Sequence, residues 1–252
     1  MKARPVAYVL AALTLGSMNP ATEPNYSAEL LNYLDPTTRF ASLCGGENGS
    51  GSMRAKLMVA AAVVQSADKP RIRLYDGLGQ VHFPITTSNP LAQKYFDQGM
   101  GFAYGFNHAA AISSFREAQK LDPNCALCHW GEAMAHGPNI NAPMDPATVT
   151  RAVALASYAN WLARKATPAE QALTAAMLKR YSLAPNADQS AMNGAYADAM
   201  LAAAAAHPDN DDVALLAAEA AMDTRPWDYW TADKQPQPRL GEAVRLVETV
   251  YG

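Results

Sequence analysis

The residues with the clearest chemical potential form a Cys-x-x-Cys-His motif, made of Cys125, Cys128 and His129. This spacing is the attachment signature of c-type haem, in which two thiols bond the haem vinyl groups and the histidine binds iron. On a helix the three residues lie at positions i, i+3 and i+4, which share one face. A sixth iron ligand could come from one of three nearby side chains, His136, Met134 or Met144.

The same residues have the donor atoms of a small metal site. Cys125, Cys128 and His129 would supply three ligands, and a tetrahedral structural site would need a fourth, for which His136 or His108 is available. The remaining alternative is structural. The two cysteines then form a local disulfide, stay a thiol pair or pack as small buried residues.

Helical periodicity dominates the chain after residue 90. Residues 68–90 are rich in proline and glycine and predict an irregular lead-in, which ends at the typical helix start Asn89-Pro90. Proline, glycine and asparagine breaks then delimit eight predicted helices, at 91–106, 108–121, 125–136, 145–165, 168–181, 189–206, 211–222 and 240–251. The sequence therefore predicts an all-α domain over 91–252. Since the last helix has no cap, we expect the array to continue in a longer protein.

The first two predicted helices match a 34-residue repeat. Seven residues fall in register, namely Tyr95, Gly99, Phe102, Ala111, Phe115, Ala118 and Pro123. Small residues let two helices approach closely, aromatic residues fill the groove between them, and proline ends the second helix. The pattern resembles the tetratricopeptide repeat (TPR) and predicts a TPR-like α-solenoid of antiparallel helix pairs.

This register changes the interpretation of the Cys-x-x-Cys-His motif. It places the motif at the start of a second repeat, where His129 and His136 take positions 4 and 11, which the repeat fills with aromatic packing residues. A well-packed repeat core has no room for a haem. The sequence therefore favours structural cysteines and no cofactor, with haem c and a metal site as alternatives.

Most of the chain after residue 70 also resembles a larger family of bacterial TPR proteins. The resemblance rests on short motifs, which are Gly77-Leu78-Gly79, Phe83-Pro84, Tyr95–Gly99, Phe106-Asn107-His108, Ser114-Phe115-Arg116, Trp130-Gly131, Gly137–Asn141 and Arg225–Trp230. Family members continue past this C-terminus with further helical repeats, and they carry tyrosine where this chain has His129. The family has no established activity, so the resemblance implies a fold more strongly than a function.

Two loops are candidate binding features. Asn139 and Asn141 either line a pocket beside His136 or satisfy backbone groups of an irregular turn, and the second interpretation is favoured. The aromatic segment Trp227–Trp230 either forms a ligand surface or anchors its loop to the core. Anchoring is the expectation.

Binding is favoured over catalysis. Glu132 and Asp97 are single acids without an evident partner, and the sequence contains no serine nucleophile elbow, phosphate-binding glycine loop or HExxH motif. The net charge is −3 without a run of five like charges, so nucleic-acid binding is not indicated. Stacked helix pairs present a concave surface that suits a peptide or partner protein. We expect a scaffold with such a partner, and alternatively a periplasmic c-type haem protein.

Residues 1–67 have the pattern of targeting segments and a linker. Basic residues precede an apolar run at 6–15, which is typical of a secretory signal and too short to span a membrane. A second such pattern begins at Met53, a possible true start that would remove Cys44. The alternative is one signal followed by a short buried helix at 54–67. We expect a periplasmic or secreted protein without a membrane span after signal removal.

Overall fold

The computed structural model describes residues 72–252, so the predictions for 1–67, including Met53, lie outside it. The described part is helical, and the all-α prediction is confirmed for it. Its eight α-helices are α1 Pro90–Tyr104, α2 His108–Leu121, α3 Ala126–His136, α4 Val149–Leu162, α5 Pro168–Met177, α6 Gln189–Ala206, α7 Asp211–Met222 and α8 Leu240–Tyr251. No helix within 72–252 is long and apolar enough to cross a membrane.

The helices begin where short polar side chains cap them. Asn89 accepts hydrogen bonds from the first backbone N–H groups of α1, and Asn107 does the same for α2. Thr167 and Glu170 form a reciprocal capping box at the start of α5. Each such cap stabilises its helix by about 1 kcal/mol, which explains why these starts agree with the sequence.

Three predicted helices differ from the structure by more than one residue at a boundary. α1 ends at Tyr104 rather than 106, because Phe106 adopts a left-handed backbone conformation with φ 57°. The helix predicted at 145–165 divides into a 3-10 turn, α4 and a second 3-10 turn. α5 ends at Met177 rather than 181, and the side chain of Arg180 is buried just beyond it.

The first three helices pack around one aromatic ring. A Cβ atom added to Gly99 of α1 would lie 2.5 Å from the Phe115 ring of α2, and one added to Gly131 of α3 would lie 2.6 Å from the same ring. Ala111 and Ala118 are fully buried beside Phe115 on α2. The backbones of α1 and α3 therefore approach Phe115 more closely than any larger residue would allow.

The other predicted repeat residues lie at the edges of this packing. Phe102 is half-buried, and its ring centroid is 5.9 Å from that of Tyr75 in the lead-in. Tyr95 donates a hydrogen bond to the Ile72 carbonyl at 3.1 Å. Pro123 follows α2 in the turn before α3. Phe102 and Tyr95 of α1 therefore contact the lead-in.

The lead-in contains no helix over 72–89 and is held to α1 by side chains. Gln98 accepts a hydrogen bond from the Tyr75 N–H at 2.8 Å and donates one to the Arg73 carbonyl at 3.0 Å. Asp97 accepts from the Phe83 N–H at 3.2 Å. The expectation that Asp97 lacks a partner was therefore wrong, since Gln93 Nε2 also donates to its Oδ1 at 2.8 Å and His82 Nδ1 lies 2.9 Å from its Oδ2.

Each helix packs against the next along the chain, and α3 also contacts α1 and α5. One continuous apolar core runs through the array, and a smaller cluster joins α7 to α8 through Ala218, Ala221, Leu240 and Ala243. Residues of α1, α3 and α7 line a common space, which holds the pocket described below.

Candidate functional site

The two motif cysteines form a disulfide with each other at the start of α3. Cys125 and Cys128 are both fully buried, and their Cα atoms lie 5.4 Å apart. Cys125 is the N-cap residue, and its Sγ accepts a hydrogen bond from the Cys128 N–H at 3.1 Å. Of the three structural alternatives for the two cysteines, the structure therefore has the local disulfide.

His129 is a packing residue in this arrangement. Its side chain is buried, with Nε2 3.2 Å from the Pro123 carbonyl and its ring edge-on to Tyr158 at 4.9 Å. Because a carbonyl only accepts hydrogen bonds, the proton of the neutral ring lies on Nε2. Burial lowers the pKa of His129 to about 4, which leaves it uncharged at neutral pH.

This geometry does not fit haem attachment. The two sulfurs are bonded to each other, all three motif side chains are buried, and Nε2 of His129 already has a backbone partner. Within residues 72–252, no group of three or more histidine, cysteine, aspartate or glutamate side chains is placed to hold a metal ion. A Soret band or a haem stain on the exported protein remains the direct test of the haem prediction.

Glu132 is the centre of a buried polar cluster that joins three helices. Its Oε1 accepts hydrogen bonds from Nε of Arg116 on α2 and Nε of Arg151 on α4, each at 2.6 Å. Its Oε2 accepts from Gln119 Nε2 at 2.7 Å, and His136 Nε2 lies 3.5 Å from Oε1. The expectation that Glu132 lacks a partner was wrong, because its partners come from neighbouring helices.

The charge state of this cluster follows from its contacts. Burial alone would raise the pKa of Glu132, but contact with His136 and the charges of Arg151 and Arg116 outweigh it and hold the pKa well below its usual range. Both carboxylate oxygens are engaged by protein donors. Glu132 therefore acts as a structural centre, and His136 lies beside it rather than at a metal.

A second buried polar cluster was missed from the sequence. Arg180, only 1% exposed, donates from Nη2 to Asp223 Oδ2 at 2.6 Å and to the Pro138 carbonyl at 2.7 Å. Its guanidinium lies over the Tyr196 ring, 4.5 Å from the centroid. Next to it, Tyr181 donates to the Ala133 carbonyl at 2.7 Å. Arg180 thus links the loop after α3 to α6 and to the end of α7.

A small pocket lies where α1, α3 and α7 meet, and it encloses about 30 Å³. This is room for a group of water size. The wall combines apolar side chains with a few polar ones, namely Ala103, Tyr104, His108, Met134, Ala135, Pro138, Asn139, Leu216 and Glu219. Residues of α1, α3 and α7, with the first residue of α2 and the loop after α3, therefore form one concave site.

Both interpretations of the asparagine loop hold for Asn139. Its Oδ1 accepts hydrogen bonds from the N–H groups of Asn141 at 2.8 Å and Ala142 at 3.1 Å, which stabilises the turn. The residue also lines the pocket, whereas Asn141 is exposed and does not. The loop therefore shapes the pocket wall through a self-supporting turn.

Glu219 carries the unusual electrostatics of the pocket. Its Oε2 is buried and has no hydrogen-bond partner among residues 72–252, and the same is true of Asp223 Oδ1, one turn further along the chain. Burial raises the pKa of Glu219, and burial together with the neighbouring Glu219 raises the pKa of Asp223 to about 8. The sequence signal for Glu219 was available, because it is the one acid of the alanine-rich helix α7 beyond the first turn.

The aromatic loop before α8 is anchored as expected, but through only one of its three aromatic residues. Trp227 and Trp230 are 73% and 54% exposed, so neither anchors the loop. Tyr229 is the residue that packs against the α7–α8 cluster. The exposed tryptophans lie outside the pocket lining and are a separate surface.

Comparisons of this chain with protein-family models, with curated proteins and with solved structures found no match. The function is therefore inferred from the chemistry of this chain alone.

Proposed function

We propose that this protein is an exported TPR-like scaffold that binds a protein or peptide on the face where α1, α3 and α7 meet. The observation that carries the proposal is the pocket on that face, which is lined mainly by α1, α3 and α7 and includes Glu219, whose buried Oε2 has no hydrogen-bond partner within residues 72–252. An apolar wall with a few polar groups is the usual chemistry of a binding site, and since this pocket has room only for a group of water size, the surrounding face would supply the other contacts.

The surroundings of the pocket support binding rather than catalysis. Tyr104, at the pocket, and Phe106, just beyond α1, are 43% and 49% exposed, and aromatic side chains of this kind are enriched at protein interfaces. The Arg180–Asp223 ion pair and the Glu132 cluster fix the helices that carry the face. A rigid site loses little entropy when a partner binds.

The pairing of helices and the cysteine chemistry support the remaining parts of the proposal. Consecutive packing of helices, with the predicted repeat residues around Phe115, is what a TPR-type array requires. A buried disulfide between Cys125 and Cys128 suits an oxidising compartment, which agrees with the predicted secretory signal.

The test is capture of a partner from the periplasmic extract by immobilised protein. Tyr104→Ala removes an exposed ring at the pocket, and Lys165→Ala is the control on an exposed turn away from it. We expect a band that wild type and Lys165→Ala retain and that Tyr104→Ala loses, with helicity by circular dichroism unchanged. Equal capture by all three proteins, or none by wild type, would contradict the proposal.

A further inference from the structure

The turn between α1 and α2 holds a phenylalanine in a conformation that glycine usually occupies. Gly105 is the C-cap of α1, and the next N–H, that of Phe106, donates to the Ala103 carbonyl at 2.9 Å. The N–H of Asn107 donates to the Phe102 carbonyl at 2.8 Å. These two hydrogen bonds form a Schellman motif, in which the residue after the cap is left-handed. That residue is Phe106, with φ 57°, and any side chain other than glycine is disfavoured there.

Packing within the fold does not explain this phenylalanine. Its side chain is 49% exposed, and its ring lies edge-on to that of His108 with 6.3 Å between the centroids. Tyr104, two residues earlier, is also exposed and lines the pocket together with His108. We call these three residues the aromatic corner. An exposed ring that the backbone holds in an unfavourable conformation is a feature of binding sites rather than of cores.

The aromatic corner is uncharged at neutral pH. Burial, followed by the charges of Asp212 and Glu219, raises the pKa of Tyr104, so its hydroxyl keeps its proton and can donate a hydrogen bond. Burial, followed in the same direction by the charge of Arg180, lowers the pKa of His108, whose ring is therefore neutral. A matching ligand has flat apolar groups and hydrogen-bond acceptors. An acidic ligand is disfavoured by the two carboxyl groups that act on Tyr104.

The size of the pocket beside Tyr104 narrows the class of ligand further. With about 30 Å³ it has room for a group of water size, which excludes the side chain of a docked amphipathic helix and a sugar ring. The ligand therefore lies over the rings instead of entering the wall. A polyproline II helix suits this arrangement, because its pyrrolidine rings are apolar and its carbonyl groups have no internal hydrogen-bond partners.

We propose that the aromatic corner binds a proline-rich peptide in the polyproline II conformation. Proline rings lie against the rings of Phe106 and Tyr104, and a peptide carbonyl accepts a hydrogen bond from the Tyr104 hydroxyl. This inference rests on the proposed binding function and adds the chemical class of its ligand. Glycine at position 106 would suit the backbone and remove the ring, so the ligand explains why phenylalanine stands there.

The experiment uses the full chain and two uncharged peptide probes in NMR titrations of the amide resonances. The first probe is acetyl-hexaproline-amide, and the second is an acetylated and amidated glycine–serine hexapeptide. We expect saturable shifts around the aromatic corner for the hexaproline peptide alone. Phe106→Leu keeps an apolar side chain on the same backbone and removes the ring. It should weaken hexaproline binding roughly three- to tenfold, the size of the contribution from aromatic ring contacts.

Phe106→Gly separates binding from folding. Because glycine suits a positive φ, this variant should unfold at an equal or higher urea concentration than wild type. It should lose at least as much affinity for the peptide as Phe106→Leu does. Lys234→Gly is the matched control, since Lys234 is exposed, has φ 62° and lies outside the pocket lining. This control should tolerate glycine equally well and bind hexaproline as wild type does.

Several results would overturn the inference. They are equal affinity for the glycine–serine peptide, wild-type affinity in Phe106→Leu or Phe106→Gly, and no hexaproline binding by wild type. A lower urea midpoint for Phe106→Gly would show that Phe106 is a packing residue and would overturn it as well. Phosphatidylcholine vesicles that sediment with wild type and not with Phe106→Gly would assign the ring to a lipid surface and overturn the peptide ligand.

The two proposals fail in different ways. If a captured partner is lost by Tyr104→Ala and excess hexaproline peptide does not displace it from wild type, the binding face stands and the ligand class is wrong. If Tyr104→Ala and Phe106→Gly both retain the partner, the binding face itself is wrong.

Discussion

Replacing Glu132 with glutamine tests the buried cluster most severely. The carboxylate is fully buried, and two guanidinium groups, from Arg116 and Arg151, donate to one of its oxygens at 2.6 Å each. Glutamine keeps the size and removes the charge, so two nearly buried cations then face a neutral amide. Breaking a buried ion pair from one side costs about 3–5 kcal/mol.

That loss is large compared with the total stability of a domain, which is about 5–15 kcal/mol. For a chain of this size it lowers the melting temperature by roughly 6–20 °C. The assay is thermal and urea unfolding followed by circular dichroism. Urea gives the free energy, and an unchanged dependence on urea concentration shows that the unfolded states are comparable.

Glu117→Gln is the matched control. Glu117 pairs with Lys120 on the surface of α2, at 2.8 Å and with the lysine 43% exposed. Exposed pairs of this kind contribute about 0.5 kcal/mol or less. If Glu132→Gln destabilises the protein no more than Glu117→Gln does, the view of Glu132 as the link between α2, α3 and α4 is refuted.

Three further predictions concern packing and protonation. Gly99→Ala should lower the free energy of unfolding in urea by about 1–3 kcal/mol, because its Cβ would lie 2.5 Å from the Phe115 ring. Gly194→Ala on α6 is the control, and it should be neutral or stabilising by about 1 kcal/mol, since only a flexible arginine end lies nearby at 3.3 Å. The pKa of His129 is about 4 in the folded protein and about 6.5 in an unfolded chain, so the unfolded chain binds the proton first as the pH falls. About 3 kcal/mol of stability should therefore be lost between about pH 6.5 and about pH 4. His129→Tyr should remove that loss. The buried motif disulfide should resist reductant under native conditions and react once urea unfolds the chain, as followed by intact mass after thiol alkylation.

Each of these has a clear contrary result. Similar destabilisation by the two glycine substitutions would contradict the close approach at Phe115. Asp223 has a raised pKa, so its ionisation lowers the stability of the protein as pH rises. The wild-type and His129→Tyr proteins are therefore compared at each pH. Parallel pH dependences would contradict the assignment to His129. Rapid alkylation of both cysteines in the folded, reductant-treated protein would contradict a fully buried disulfide.

The helices could be predicted because their signals are local. Asn89, Asn107 and Thr167 cap helices within three residues of their own position, and the glycine at 99 can be matched to Phe115 through a repeat spacing. Structural cysteines were favoured from the repeat register, but the local disulfide was one of several structural alternatives, because sequence spacing allows bonded sulfurs as well as free thiols.

The polar clusters could not be predicted, because they join residues far apart in sequence. Arg180 and Asp223 are 43 residues apart and meet only because α5 ends before Arg180. Glu132 is the one acid of α3 and Glu219 the one acid of α7 beyond its first turn, so both were detectable, but their surroundings depend on how the helices pack. Packing gives both carboxylate oxygens of Glu132 hydrogen-bond donors, whereas Glu219 Oε2 has no partner within residues 72–252.

Hydrogen–deuterium exchange of the captured complex tests the central claim most directly, because it locates the bound surface without any substitution. The account predicts that a partner protects the ends of α1, α3 and α7 around Tyr104, Ala135 and Leu216, and leaves α8 and the loop with Trp227 and Trp230 unchanged. Protection confined to α8 or to the tryptophan loop, with α1, α3 and α7 unaltered, would contradict it.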